Sequence, residues 1–361
     1  VLGEKTMNED QLLKTAKEIQ AVSLAAEKRA KNKWDNIGKP IDGLGLFEDM
    51  FIRIAGIKDD ENFSLKNKYI AVMCSDNGVV AEGVSQTDSS VTAIVARNMA
   101  KGTSSVCLMS RCSGTKVIPY DVGMLKDVNG VEKHKAVYGT GNICAENAMS
   151  RSDTVKTIAE GIKIADRLYR NGCDIAGIGE MGIGNTTTSA AVCAVLADCN
   201  AETATGHGAG ISDEGYLRKI DAVKRAVEFH KPDKNDVIGV LSFVGGGDIA
   251  ALTGFIIGCA KNKIPVVLDG VITLVAALAA VGLNPNIKDY VIASHKGKEP
   301  ACGLLLDKLG LKPVIYADMA LGEGTGAAML MSLINNADAV YSNNITFENI
   351  NVGKYTDYGN K

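Results

Sequence analysis

Seven short apolar runs, each separated from the next by a longer stretch, set the strongest limit on how this chain folds. Tyr69–Met73, Lys116–Tyr120, Asp174–Gly177, Val237–Leu241, Ile264–Leu268, Tyr290–Ser294 and Pro313–Tyr316 read as strands. Val91–Cys112, Thr154–Asn171, Asp213–Phe229, Ile249–Ala260 and Gly303–Gly310 carry helical spacing between them. The strands do not alternate apolar with polar residues, so both faces of their sheet must be covered. The expected class is α/β, a mainly parallel sheet with helices on both faces, in which ligands sit at loops leaving the carboxyl ends of strands.

At the amino end, Leu12, Leu13, Ala16, Ile19, Val22, Leu24, Ala25 and Ala26 recur at near-helical spacing, which predicts one amphipathic helix over Asn8–Trp34, ended near Gly38-Lys39-Pro40. It is expected to pack with a last helix, Gly324–Asn336. Residues 1–45 plus 324–361 would then form a small helical domain, leaving 46–323 as the larger catalytic domain.

Charge and cysteine usage remove several function classes. With 39 Lys and Arg against 42 Asp and Glu, and no basic stripe, nucleic acid is not expected as a partner. The longest apolar segment, Val271–Leu283, falls short of the roughly 20 residues of a membrane span, and the first thirty residues read as a charged helix and not a signal peptide, so no membrane association is expected. Nine cysteines without a CxxC pair, and four dispersed histidines, fit neither a disulfide framework nor a zinc site. The expectation is a cytoplasmic protein with no bound metal and no cofactor.

Glycine is abundant, 39 residues against a usual share of roughly 7%, and it concentrates after the apolar runs. The densest segment is Gly177-Ile178-Gly179-Glu180-Met181-Gly182-Ile183-Gly184-Asn185-Thr186-Thr187-Thr188, between an expected strand and a helix over Ser189–Leu196. Backbone N–H groups at a helix N-terminus, with threonine hydroxyls beside them, suit a phosphate. Residues 177, 179 and 182 also satisfy GxGxxG, but a dinucleotide fold needs a second strand ending in an acid about 20 residues on. Asp198 has that spacing, yet Ala190–Ala197 reads as helix, and Glu180 would repel a pyrophosphate.

Two further glycine-rich segments follow expected strands. In Leu321-Gly322-Glu323-Gly324-Thr325-Gly326 a carboxylate flanked by glycines can approach a ligand closely, and burial would raise its pKa toward that of a useful base; an ordinary acid at a helix N-terminus fits as well. Phe243-Val244-Gly245-Gly246-Gly247-Asp248 reads more simply as close packing with Asp248 as an N-cap. Lys219 could reach a phosphate, although most such lysines are solvated. A diphosphate-sugar phosphoribosyltransferase would show two adjacent acids before a Thr-Gly-Thr-like loop, and none occur.

These segments, together with Asp76-x-Gly78-Val79, Asp121-Val122-Gly123, Lys219-Ile220-Asp221, Leu268-Asp269-Gly270 and Ser294-His295, make the chain similar over nearly its whole length to the nicotinate-nucleotide:dimethylbenzimidazole phosphoribosyltransferase family of cobamide lower-ligand synthesis. The resemblance implies a Rossmann-like sheet of about six strands and a dimer whose partner lends residues to the site. It also implies transfer of the phosphoribosyl group of nicotinate mononucleotide to an aromatic acceptor. By position, Glu323 would be the general base. Glu180, Met181, Gly182, Ile183, Gly184, Asn185 and Thr186 would hold the phosphate and ribose with Lys219 and Gly297, and Thr87, Val95, Leu321 and Gly322 would line the acceptor pocket.

Some positions depart from the family pattern. Its Ser and, eight residues on, Gln of the benzimidazole pocket are Thr87 and Val95 here. Its Asp-His-Gly is Asp76-Asn77-Gly78. A Ser near the phosphate is Gly297, for which Lys296 or Lys298 could substitute. Val95 cannot pair with the second nitrogen of a bicyclic base, an unmet group costing roughly 1–3 kcal/mol if buried. The chain therefore resembles the catalytic subunit of the phenol/p-cresol branch, which pairs with a homologous subunit. Benzimidazole or purine-like acceptors, a homodimer, and a non-catalytic partner-subunit role stay open, although both Glu180 and Glu323 are present.

Overall fold

The structure is a computed structural model that describes residues 7–343 and 345–356. Six strands form one sheet: β1 (Lys68–Ser75), β2 (Lys116–Gly123), β3 (Glu132–Lys133), β4 (Ile175–Met181), β5 (Val266–Leu268) and β6 (Val291–Ala293). All neighbours pair in parallel, in the order β3-β2-β1-β4-β5-β6. The order reverses between β1 and β4, a topological switch that opens the carboxyl edge for a ligand.

Every residue of β1 and β4 is buried, which is why these strands read as unbroken apolar runs. Along β1, Tyr69, Ala71 and Met73 point into one core, and Ile70, Val72 and Cys74 into the other. The first core lies under helices that include Arg151–Arg170, Asn185–Leu196, Gly247–Lys261 and Val271–Leu283. The second lies under Leu24–Asn36, Leu46–Lys58, Ser90–Ala100 and Thr325–Asn343. Helices Arg151–Arg170 and Gly247–Lys261 cross with their backbones in contact. A Cβ on Gly161 would stand 2.0 Å from the Ala251 carbonyl oxygen, and one on Gly254 would stand 1.8 Å from that of Ile158.

Several expected elements differ. Val237–Leu241 is not a strand; it opens a helix, Val237–Val244, whose N-cap Asp236 accepts from the Gly239 N–H. Pro313–Tyr316 contributes only a bridge between Ile315 and His295, while the two-residue β3 has no apolar run to announce it. Val91–Cys112 divides into Ser90–Ala100 and Ser105–Arg111.

The single helix expected over Asn8–Trp34 is two, Glu9–Lys17 and Leu24–Asn36. They lie on opposite faces of the sheet: Leu12 and Ala16 join the first core, Ala30 and Trp34 the second. The last helix runs Thr325–Asn343, and Tyr341 on it packs against Trp34 with ring centroids 4.8 Å apart. Of the segments 1–45 and 324–361, residues 1–6, 344 and 357–361 lie outside the described residues.

Candidate active site

The site is built from the carboxyl ends of β4, β5 and β6. The glycine-dense segment is not all loop: β4 extends to Met181, so Gly177, Gly179 and Glu180 lie within the strand. Gly177 and Gly179 serve the face toward the last helix, where a Cβ on Gly179 would stand 2.4 Å from Gly324 N and 2.5 Å from Glu323 C. Only Gly182–Gly184 is turn. Gly184 has φ +91, and helix Asn185–Leu196 starts directly after it. The Ile183 N–H is taken by Thr92 Oγ1 at 3.2 Å, and those of Asn185 and Thr187 by carbonyl oxygens of the turn. Among the described residues, the N–H groups of Gly184 and Thr186 have no internal acceptor, so they are the donors left for an anion at this N-terminus.

Lys219, on helix Asp213–His230, is 1% exposed. Its Nζ donates to Thr186 Oγ1 at 3.0 Å and to the Gly206 carbonyl at 2.9 Å. Burial pushes its pKa down to about 8. A cation lodged behind Thr186 with neutral acceptors gains from an anion arriving at the turn.

Glu180 is buried and shares Asn185 with a second buried carboxylate. The Asn185 Nδ2 donates to Glu180 Oε2 and, at 2.9 Å, to Asp248 Oδ2. Burial, reinforced by Asp248, pushes the Glu180 carboxyl up to about 8, and burial raises Asp248 to about 6. Glu180 therefore holds its proton near neutral pH. Asp248 is not the N-cap expected; Gly246 is, and Asp248 turns inward from the first turn of Gly247–Lys261.

Glu323 projects from a left-handed turn, with φ +80, +62 and +87 at Gly322, Glu323 and Gly324. The turn is held from β5, where Asp269 Oδ2 accepts from Gly324 N at 2.9 Å and Oδ1 accepts from Gly326 N at 2.7 Å. Burial, then the nearby Asp269, raises the Glu323 pKa above the usual carboxylate range.

These groups face one cavity of about 350 Å³. It brings together Glu323, Glu180, Met181, Gly182, Ile183, Asn185, Thr186 and Gly297 with the expected acceptor-pocket residues Thr87, Val95, Leu321 and Gly322. Gly184 and Lys219 stand behind the lining. Lys296 and Lys298 are exposed and outside it. Asp269, His295 and Glu299 also line the cavity, and sequence reasoning gives them no role. For the first two a signal exists: Leu268-Asp269 and Ser294-His295 stand where apolar runs end, the place from which ligand loops leave a parallel sheet.

Comparison with known proteins gives the site a lineage. Residues 19–352 match the family model described as phosphoribosyltransferase. The nicotinate-nucleotide–dimethylbenzimidazole phosphoribosyltransferase of Acetivibrio thermocellus is 40% identical over 346 residues, covering 95% of this chain and 99% of that protein. Its counterpart in Clostridium tetani is 39% identical over 337 residues, 93% of each. The chain belongs to the nicotinate-nucleotide:dimethylbenzimidazole phosphoribosyltransferase family. The crystal structure of CobT from Thermus thermophilus superposes on this phosphoribosyltransferase with a TM-score of 0.85 at 32% identity, covering 92% of this chain and all of the other. The Rossmann-like parallel sheet is thus the fold of a pentosyltransferase.

Proposed function

We propose that this phosphoribosyltransferase moves the phosphoribosyl group of nicotinate mononucleotide onto an aromatic lower-ligand acceptor for cobamide synthesis, giving nicotinate and an α-linked nucleotide. The observation that carries the reading is one cavity with an anion-binding turn at one end and the raised carboxyl of Glu323 at another. In the proposed step the acceptor attacks the anomeric carbon opposite the pyridinium. The carbon–nitrogen bond breaks, its electron pair stays on the now neutral nicotinate nitrogen, and Glu323 takes the acceptor's proton. The leaving group needs no acid, whereas the nucleophile gains from a base. The Gly182–Thr186 turn holds the 5′-phosphate with Lys219 assisting, and Glu180 lies by the ribose. There a cationic donor would draw off the proton that Glu180 otherwise keeps, so its charge appears when positive character develops on the sugar.

The acceptor we favour is phenol or p-cresol. Val91 and Val95, one helical turn apart, line the cavity with Ile272 and Leu321, and Val95 offers no partner to a second ring nitrogen. A benzimidazole or other purine-like base is the second reading, favoured by the names of the relatives in Acetivibrio thermocellus and Clostridium tetani. We also propose a dimer, of two copies or with a homologous subunit, and a reducing cytoplasm, which the nine free cysteines support. The smaller subdomain proposed, 1–45 with 324–361, is supported by the Trp34–Tyr341 contact.

The test is incubation of the purified chain, alone and with any co-expressed homologue, with nicotinate mononucleotide and phenol, p-cresol or dimethylbenzimidazole, and identification of products by mass. Phosphoribosylated phenolics are expected. No product from any acceptor overturns the activity, and a strong preference for dimethylbenzimidazole overturns the phenolic reading alone.

A further inference from the structure

The Glu323 carboxylate makes no hydrogen bond or ion pair among the described residues, so what the structure fixes is the backbone turn from which this side chain enters the cavity. That backbone is costly. Three successive residues are left-handed, and the middle one is not glycine. Such a conformation persists only where its surroundings over-determine it.

Three contacts do so. On one side β4 lies flat against the turn through the missing Cβ of Gly179. Within the turn, Thr325 Oγ1 donates to the Gly322 carbonyl at 2.7 Å. On the third side is Asp269, 2% exposed, which grips the N–H groups of Gly324 and Gly326 with its two oxygens. An ordinary helix cap comes from the residue preceding the helix. Here that side chain is absent at Gly324, and the carboxylate comes from another strand, 55 residues earlier. Its Oδ2 bond falls on the residue directly after Glu323 and not on the helix proper. Gly326 is the matching recess: a Cβ there would stand 2.7 Å from Asp269 Oδ1 and 2.1 Å from His295 Nδ1. The titratable groups that line the cavity with Glu323 are Asp269 just after β5, His295 and Glu299 after β6, and Glu180 on β4.

We propose that Asp269 is the positioning residue for Glu323: anchored at the end of β5, its carboxylate fixes the left-handed turn that presents the Glu323 carboxylate to the acceptor. The proposal rests on the reading of Glu323 as the base. Asp269 borders the cavity, but each of its oxygens accepts an N–H of the turn, so its hydrogen bonds in the structure go to the backbone that carries Glu323.

The experiment is a kinetic cycle with nicotinate mononucleotide and whichever acceptor the product assay identifies. Asp269→Asn keeps the volume but sets an NH2 group against one of the two N–H donors. It is expected to lower kcat by about 10²-fold, the scale of a misplaced catalytic group, with KM for nicotinate mononucleotide unchanged. In a Glu323→Gln background the same substitution is expected to cost nothing further, because a group that acts only through Glu323 has nothing left to position. Equal losses in both backgrounds, or a rise in KM with kcat intact, would overturn the proposal and leave the reading of Glu323 standing. Wild-type turnover in Glu323→Gln alone would overturn both. Should Asp269→Asn not fold, Asp269→Glu keeps the charge but pushes it one methylene into the turn. A loss of kcat at constant KM is expected there too, and wild-type kcat refutes the role.

Discussion

A carboxylic acid buried deeply enough to keep its proton at neutral pH makes stability depend on pH. Glu180 has an ordinary pKa of 4.5 and a folded value of about 8, raised chiefly by burial and then by Asp248. The unfolded chain releases this proton above about pH 4.5, and the folded one keeps it until about pH 8. The contribution of Glu180 to stability is therefore fully present below 4.5 and is lost as pH rises through 8, at roughly 1.4 kcal/mol for each pH unit between those two values. Glu180→Gln removes the titration and keeps an oxygen for Asn185. In thermal melts the variant is expected to gain on the wild type between pH 4.5 and 8 and to match it near pH 4.5; a constant difference across that range would refute the assignment. Glu323, only partly buried, is the residue whose loss is expected in turnover. Glu323→Gln should lower kcat by roughly 10²–10⁴-fold with little change in KM for nicotinate mononucleotide, measured by steady-state kinetics.

β4 shows how one element serves both packing and chemistry. Its residues 176 and 178 enter one core, while Gly177 and Gly179 clear the other face for the last helix and the turn before it. Gly177→Ala places a methyl group 2.9 Å from Ala327 Cβ and Ile70 Cγ1, which are side-chain atoms. Gly179→Ala drives it into the backbone of Glu323 and Gly324. Both are expected to lose stability, by roughly 1–3 kcal/mol for overpacking, in denaturant titrations. Only Gly179→Ala is expected to lose kcat beyond what its folded fraction explains; equal turnover losses would sink the distinction. The limits of sequence reading also lie at this scale. Short apolar runs do not declare their period, so Val237–Leu241 reads as a strand. The cap at Asp236 and the i, i+3, i+4, i+7 series Val237, Val240, Leu241, Val244 are the signals of a helix. The glycines around Glu180 and Glu323 are legible as a site. Their reason is not, because Gly179 is explained by a backbone that arrives from 144 residues later. Asp269 is legible by its place at the end of an apolar run but not by its role, for the same cause: its partners come from another element.

Across the whole molecule, chemistry and anchorage are placed at opposite edges of the sheet. The cavity lies at the carboxyl ends of the strands, whereas the amino-terminal segment wraps past the amino end of β6, carrying one helix into each core. There Asn284 Nδ2 donates to the carbonyls of Ala16 at 2.8 Å and Ile19 at 3.0 Å, Asn286 Nδ2 donates to Ile19 at 3.0 Å, and the Tyr290 hydroxyl donates to Gln20 at 3.0 Å. Asn284 is 8% exposed, so Asn284→Ala strands buried acceptors that water cannot readily reach, and is expected to cost roughly 1–3 kcal/mol of unfolding free energy. The segment it holds does not line the cavity, so kcat and KM should remain those of the wild type. Saturating nicotinate mononucleotide stabilises only the folded state, by about 2.7 kcal/mol at a hundredfold excess over Kd. That increment should be the same in Asn284→Ala as in the wild type, because the binding edge is intact in both. Urea titrations with and without the nucleotide measure both quantities. A smaller ligand increment in the variant would mean that the strap and the site are coupled through the sheet, and that β6 transmits strain from its amino end to His295.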